Sequence, residues 1–199
     1  TLEVFDDIID KSLQEKIKST LFTDNFPWFF VNDVTTDTIN SQSRPAFFHK
    51  FYEDFENNSE HTWITEKIIS PVIDKFKLKI TQIMQSRTFL QLPLNHIEGL
   101  VDNAHIDSPR SHLVVLYYVI DSDGDTIIYD KKWEKGMQDL NSEETKKLLI
   151  KKRVTPKQGR VVVFDGKYWH TAEQPTHNKS SKRCVINNNI TYEGINANL

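Results

Sequence analysis

The second half of the 199-residue chain contains five segments that are rich in valine, isoleucine, tyrosine and phenylalanine. They are TFLQLPL at 88–94, SHLVVLYYVI at 111–120, DTIIYD at 125–130, RVVVFD at 160–165 and RCVINNNITY at 183–192. β-Branched and aromatic residues favour strands, and the turn sequences DSDGD at 121–125 and TPKQG at 155–159 separate neighbouring segments. This half is therefore predicted to form a β-sandwich or barrel.

The first 86 residues favour helices instead. An amphipathic helix is predicted over 5–21, where apolar residues recur at three- and four-residue steps and Asp6 or Asp7 could cap the start. A second helix is predicted over 63–78, with Pro71 starting, kinking or interrupting it. A third, short helix is predicted at 141–150. Helices followed by many strands indicate an α+β fold in which the N-terminal helices pack on one face of the β-structure.

Composition restricts the classes of protein to which the chain can belong. Hydrophobic residues make up 38% and aromatic residues 11%, which is enough to form a core. A net charge of -3 gives no electrostatic case for nucleic acid or an anionic membrane. Cys184 is the only cysteine, so no intrachain disulfide forms, and no segment has the length of a membrane span. We expect a cytoplasmic protein with no nucleic-acid or membrane partner; the sequence does not predict its oligomeric state.

Two histidines and one carboxylate stand beside the predicted strands. His105 and Asp107 lie in HIDSP, and His170 follows a strand in GRVVVFDGKYWH. A two-histidine, one-carboxylate set with open coordination positions is characteristic of non-haem Fe(II), because the free face can take a chelating cosubstrate and O2. Arg183 opens the last long strand, where a buried guanidinium could hold a dicarboxylate by a bidentate pair.

These segments resemble the 2-oxoglutarate- and Fe(II)-dependent dioxygenases, in the prolyl 4-hydroxylase-like branch with compact bacterial and phage members. The resemblance rests on HIDSP, VVLYYV, DGDTIIY, GRVVVFDGKYWH and RCVINNNI. It implies one domain over 1–199, with a helical part at about 1–86 and a double-stranded β-helix (jelly-roll) core at about 87–192. It also implies decarboxylation of 2-oxoglutarate to succinate coupled to hydroxylation of a C–H bond, with peptidyl proline as the first substrate to consider.

The resemblance also assigns roles to individual residues. His105, Asp107 and His170 would bind iron, Arg183 would pair with the far carboxylate of 2-oxoglutarate, and Tyr118 matches a tyrosine that hydrogen-bonds that carboxylate. The chain departs from the family where tyrosines often precede the His-x-Asp motif, since Asp102 and Asn95 stand near those spacings. The primary substrate therefore stays open between a prolyl peptide, another protein side chain, a free amino acid and a small metabolite.

Strand alternation extends the prediction along RCVINNNI. Arg183, Asn187 and Asn189 share one face of a regular strand, and Asn188 lies on the other. We predict that Asn187 bonds cosubstrate or a metal-site water, that Asn189 faces the primary substrate, and that Asn188 is functionally silent. A bulge in the strand would instead make all three edge-strand polar residues.

Two other classes of protein compete with the dioxygenase. The first is a non-catalytic jelly-roll binding module that keeps or has lost its metal. The second is a zinc hydrolase in which the same three ligands activate water, although no HExxH-type helix is evident and Arg183 would have no role. DSDGD is predicted to be a turn and not a calcium loop, because Gly124 precedes Asp125 and Lys132 occupies the twelfth position.

Overall fold

Eleven strands and three helices form within the residues that the computed structural model describes, which are 1–34, 44–94, 101–176 and 182–194. The strands are β1 (Leu2–Phe5), β2 (Phe29–Val31), β3 (Ala46–Glu53), β4 (Glu56–Asn57), β5 (Leu78–Gln91), β6 (Leu113–Tyr118), β7 (Thr126–Lys132), β8 (Ile150–Val154), β9 (Val161–Asp165), β10 (Tyr168–Ala172) and β11 (Arg183–Gly194). The helices are α1 (Lys11–Leu21), α2 (Trp63–Phe76) and α3 (Ser142–Lys146).

The strands form two antiparallel sheets. The major sheet has the order β1-β9-β6-β11-β5-β3-β2, with β4 paired to β3, and the minor sheet has the order β10-β7-β8. Two isolated bridges, Val101 with Glu173 and His105 with His170, add a further segment beside β10. The predicted strands at 111–120, 125–130, 160–165 and 183–192 are confirmed as β6, β7, β9 and β11. Of the strand predicted at 88–94, residues 88–91 are the end of β5, which begins at Leu78 and ends at Gln91, and residues 92–94 lie beyond it.

Each face of the major sheet packs against a different layer. On one face, Val115 and Tyr117 of β6 pack with Ile17 of α1 and Ile64 of α2 in a buried apolar cluster. On the opposite face, Val114, Leu116 and Tyr118 pack with Ile128 of the minor sheet. The predicted packing of the helices on one face of the sheet is therefore confirmed, and strand alternation places Val114, Leu116 and Tyr118 together on the other face. This second face carries the candidate site.

The first helix begins later than its apolar spacing predicted. Residues 2–5 form β1, in which Phe5 pairs with Val161 of β9, so their backbone groups bond to the sheet edge and not along a helix. α1 begins at Lys11, and Asp10 caps it, because the Asp10 carboxylate accepts a hydrogen bond from the Leu13 N–H at 2.9 Å. The predicted start at residue 5 and the caps at Asp6 or Asp7 were wrong.

Two further helical predictions are corrected. The region 1–86 is not mainly helical, because it supplies β1 to β4 and most of β5 to the major sheet. The helix predicted at 141–150 ends at Lys146, and from Ile150 the chain forms β8, which pairs with β7. Tertiary pairing at a sheet edge overrides the helical preference of the lysine- and leucine-rich sequence. None of the helices in the described ranges has the length and hydropathy needed to cross a membrane.

Candidate metal centre

Backbone pairing brings the three predicted metal ligands together. The N–H of His105 donates to the carbonyl of His170 at 3.0 Å, and the N–H of His170 donates back to the carbonyl of His105 at 3.0 Å. Asp107 follows two residues after His105, so its carboxylate reaches the same point. The ligand atoms of the three side chains all lie within 4.8 Å of one another.

The two imidazoles present the same nitrogen to the centre. The Nε2 atoms of His105 and His170 lie 3.8 and 3.7 Å from Asp107 Oδ1. The Nδ1 atom of His170 lies 3.0 Å from the Tyr168 carbonyl, and that of His105 lies 3.4 Å from the Asn103 carbonyl. Because a carbonyl only accepts, each Nδ1 carries the proton and each Nε2 keeps its lone pair for a metal ion.

Asp107 is held from the other side by Asn187. The Asn187 Nδ2 group donates to Asp107 Oδ2 at 3.0 Å, which leaves Oδ1 facing the imidazoles. Burial opposes ionisation of Asp107, but its contacts with His170, His105 and Asn187 outweigh burial and hold its pKa below the ordinary range. The same interaction raises the pKa of His170 against the effect of burial. Two imidazole nitrogens and one carboxylate oxygen, converging on one point beside an open cavity, form a donor set that fits non-haem Fe(II).

A cavity of about 410 Å³ adjoins these ligands and is also lined by Arg183. Arg183 is 4% exposed. Its guanidinium donates to the Gly124 carbonyl at 2.8 Å, to Gln91 Oε1 at 2.8 Å and to Thr126 Oγ1 at 2.9 Å. Those three acceptors are neutral, so they position the guanidinium without neutralising it. Burial lowers the pKa of Arg183, which is the direction expected for a charge that an anionic ligand would stabilise.

Tyr118 lies beside Arg183 but reaches the cavity through another residue. Its ring lies 5.9 Å from the Arg183 guanidinium, and its hydroxyl donates to Thr126 Oγ1 at 2.8 Å. Burial raises the pKa of Tyr118 to about 12, so the hydroxyl stays a donor. Thr126 Oγ1 thus accepts from both Tyr118 and Arg183, and its own proton is left for a ligand in the cavity, which Thr126 lines.

Sequence reasoning missed Thr126, although its place directly after DSDGD and two residues before the inward-facing Ile128 was a usable signal. It also missed a buried ion pair at the cavity wall. Arg44 is 1% exposed, and its Nη1 atom lies 3.1 Å from Asp102 Oδ1. Burial raises the pKa of Asp102 to about 6, against the opposing charge of Arg44. Nothing in the local sequence around residues 44 and 102 indicates that they meet.

The three asparagines of β11 alternate as predicted. Asn187 lines the cavity beside Asp107, and Asn189 lines a second cavity on the other side of Asp107. Asn188 points to the helical face, where it accepts from Ser86 Oγ at 2.7 Å and donates to the Val115 carbonyl at 2.8 Å. The register of β11 against β5 first shifts after Asn189, so a bulge does not disturb the three positions. Asn95, noted in the sequence, lies outside the described residues.

We expect Asn187→Ala to weaken divalent-metal affinity by about 10- to 100-fold, because Asp107 would lose the donor that fixes its second oxygen. Isothermal titration with Mn(II) measures the effect. Asn188→Ala is the matched control on the same strand, and we expect it to lower the free energy of unfolding by about 1–3 kcal/mol while leaving metal affinity within about threefold. A loss of metal affinity in Asn188→Ala alone would mean that the assigned faces of β11 are reversed.

Searches with the sequence found no matching family model and no matching curated protein. Structural similarity is extensive. A 2OG-Fe(II) oxygenase family oxidoreductase from Burkholderia pseudomallei is 11% identical, with a TM-score of 0.65 over 97% of this chain and 86% of that one. A Pseudomonas putida prolyl-4-hydroxylase is 11% identical, with a TM-score of 0.60 over 96% and 92% of the two chains.

A third similar structure is HygX from Streptomyces hygroscopicus, with nickel, 2-oxoglutarate and hygromycin B bound. It is 11% identical and has a TM-score of 0.57 over 95% of this chain and 82% of that one. At these identities the similarity establishes the fold. The chain has the jelly-roll fold of the 2OG-Fe(II) oxygenases, as the sequence resemblance implied.

Proposed function

We propose that this chain is an Fe(II)- and 2-oxoglutarate-dependent dioxygenase that hydroxylates a C–H bond of a primary substrate. The observation that carries the proposal is that one cavity joins the His105, Asp107 and His170 cluster to the buried guanidinium of Arg183. A metal donor set and a fixed cation in one cavity match the two ends of a 2-oxo dicarboxylate. The fold shared with HygX, whose structure holds 2-oxoglutarate, supports the same assignment.

His105, Asp107 and His170 would hold the iron by two imidazole nitrogens and one carboxylate oxygen. Bound iron and 2-oxoglutarate would supply the oxidising chemistry, in which O2 is consumed and 2-oxoglutarate loses CO2 to become succinate. Asn187 keeps one oxygen of Asp107 turned towards the metal position. The two carbonyls that accept from the imidazole Nδ1 atoms keep each ring in the orientation that a ligand needs.

Arg183 would bind the distal carboxylate of 2-oxoglutarate. A buried charge without a directly paired counter-charge is costly, so an anion that enters the cavity gains from pairing with a guanidinium already held in place by Gln91, Gly124 and Thr126. Gly124 permits this placement, since a Cβ atom there would lie 2.9 Å from Arg183 Cδ and 2.7 Å from the Glu173 carbonyl oxygen. Thr126 would donate its remaining hydroxyl proton to the same carboxylate, with Tyr118 acting through Thr126.

Peptidyl proline stays the first primary substrate to test. We also propose that residues 1–199 form a single dioxygenase domain and that the protein is cytoplasmic. The similar structures include a prolyl-4-hydroxylase and a protein with hygromycin B bound, so peptide and small-molecule substrates both fit the fold. A zinc hydrolase would use the same three ligands but leave the buried charge of Arg183 without a role.

Anaerobic addition of Fe(II) and 2-oxoglutarate tests the proposal. We expect a weak visible charge-transfer band that requires both, followed by succinate formation when O2 is admitted. Glutarate in place of 2-oxoglutarate is the matched control, because it keeps both carboxylates and the chain length but lacks the 2-oxo group that chelates a metal. Metal binding without the band and without succinate formation would indicate a non-catalytic binding module. Hydrolysis of a substrate with Zn(II) alone, without 2-oxoglutarate, would indicate a hydrolase.

A further inference from the structure

A second cavity, of about 240 Å³, lies on the far side of Asp107 from Arg183. It shares Asp107 and Gln85 with the main cavity, so a molecule in it lies beside the metal position. We call it the Asn189 cavity, after the strand residue in its wall. Its other walls include the β3–β4 hairpin and the residues that follow Asp107, namely Asp54, Phe55, Ser108 and Arg110.

A buried acceptor in this cavity needs a donor. Asn189 is 2% exposed, and among the described residues no donor lies within hydrogen-bond distance of its Oδ1 atom. Asn187 Oδ1 is also buried without a donor among the described residues. The orientation of the Asn187 amide is fixed, because Nδ2 must face the accepting carboxylate of Asp107. Buried polar atoms in folded proteins are nearly always hydrogen-bonded, so both acceptors point to a ligand or solvent that donates. The two residues lie about 7 Å apart along β11.

The turn of the β3–β4 hairpin, which lines the Asn189 cavity, has a strained backbone. Asp54 and Phe55 form the two-residue turn between β3 and β4, and both have positive φ angles, of 48° and 70°. Such turns favour asparagine and glycine, and a phenylalanine in this region of φ is strained. The surrounding contacts hold it, because the Phe55 N–H donates to the Met84 carbonyl at 3.1 Å and the Arg110 guanidinium lies 5.4 Å from the ring. Strain of this kind clusters at binding and catalytic sites.

We propose that the Asn189 cavity binds a secondary amide of the primary substrate, next to the carbon that is hydroxylated. An amide offers an N–H donor and a carbonyl acceptor side by side. Asn189 Oδ1 accepts from the N–H, the Arg110 guanidinium donates to the carbonyl, and Phe55 covers the apolar flank. An ammonium group could pair with Asp54 or Asp107, which line the same cavity, but it offers no acceptor to Arg110, whereas a secondary amide satisfies both Asn189 and Arg110. The inference rests on the proposed function for its place in the reaction.

Titrations of the 15N-labelled full chain, without metal or 2-oxoglutarate, test the amide site directly. The probes are N-methylacetamide, which has an amide N–H, N,N-dimethylacetamide, which lacks it, and methylammonium, which is a charged donor. We expect saturable shifts of the backbone signals of Phe55, Gln85 and Ser108, with N-methylacetamide binding at least about fivefold more tightly than either of the other probes.

Two variants test the role of the side chain. Asn189→Leu should remove the preference for N-methylacetamide. Asn189→Asp is nearly isosteric and keeps the acceptor, so it should still prefer N-methylacetamide to N,N-dimethylacetamide. The comparison separates a lost hydrogen bond from a disturbed strand. Equal affinity for the two amides in the unmodified chain, tighter binding of methylammonium, or an unchanged preference in a folded Asn189→Leu would each overturn the proposal. Because no metal or 2-oxoglutarate is present, failure here leaves the dioxygenase assignment standing, and failure of that assignment leaves this result standing.

Discussion

Asp107→Ala is expected to lower iron-dependent turnover of 2-oxoglutarate by more than about 100-fold, because loss of an outer partner of a metal ligand already costs about 10- to 100-fold. Asp107 supplies the anionic donor of the set, and both imidazole Nε2 atoms lie within 4 Å of its Oδ1. His105→Ala should have the same effect. The measurement is succinate formed per enzyme under saturating 2-oxoglutarate, with circular dichroism to show that the fold persists.

The choice of variant matters, because the three ligands differ in burial. His105 has a side chain that is 54% exposed, so its removal leaves little empty space. His170 is buried, and its ring packs edge-on against Phe164 at 5.1 Å, so His170→Ala also removes core packing. His105→Ala and Asp107→Ala are therefore the cleaner tests. Asp130→Ala, an exposed carboxylate paired with Lys151, is the control. Unreduced turnover in His105→Ala or Asp107→Ala would exclude that residue from the site.

Arg183→Ala is expected to weaken 2-oxoglutarate by roughly 30- to 1000-fold, since a charge-assisted bidentate pair contributes on the order of 2–4 kcal/mol. Metal affinity should change far less, because Arg183 lies at the other end of the cavity from the ligands. Isothermal titration of the Mn(II)-loaded protein with 2-oxoglutarate separates the two affinities. Arg183→Lys keeps the charge but not the planar donor fork, and should recover only part of the loss.

Smaller losses of 2-oxoglutarate affinity in variants of neighbouring residues test where its distal carboxylate binds. Thr126→Val and Tyr118→Phe each remove one neutral hydrogen bond, worth about 1 kcal/mol, and Thr126→Ser should restore the affinity that Thr126→Val loses. Because Tyr118 donates to Thr126 and not directly into the cavity, its effect should largely disappear in the Thr126→Val background. A loss in Tyr118→Phe larger than that in Arg183→Ala would show that the anchor of the distal carboxylate is misassigned.

The local sequence correctly predicted the strands that are marked by apolar or alternating residues. β6, β7, β9 and β11 carry continuous apolar or alternating runs between turn sequences, and such runs leave little choice of structure. The helices predicted at 5–21 and 141–150 each included one residue of a strand, Phe5 of β1 and Ile150 of β8. The pairing of these two strands depends on β9 and β7, which are separate segments of the sequence. The local sequence does not show which sheet edge such a segment will pair with.

The same division holds for the candidate site. His105, Asp107, His170 and Arg183 were predicted from residue type and strand context, and the structure places all four on one cavity. The partners that orient them depend on which strands become neighbours. Gln91 reaches Arg183 because β5 pairs with β11, and Thr126 reaches it across the two sheets, so neither contact was visible in the sequence.

The reciprocal backbone bonds between His105 and His170 have a consequence for which ion occupies the centre. They fix the spacing of the two imidazoles through the peptide chain, so the ligands are in place before any ion arrives and need little rearrangement to receive one. A preformed nitrogen and oxygen site of this kind follows the general affinity order of divalent ions, in which nickel, copper and zinc bind more tightly than iron. Occupancy by iron is then decided by which ions the surroundings supply, and protein purified in air is expected to carry a mixture of inert metals.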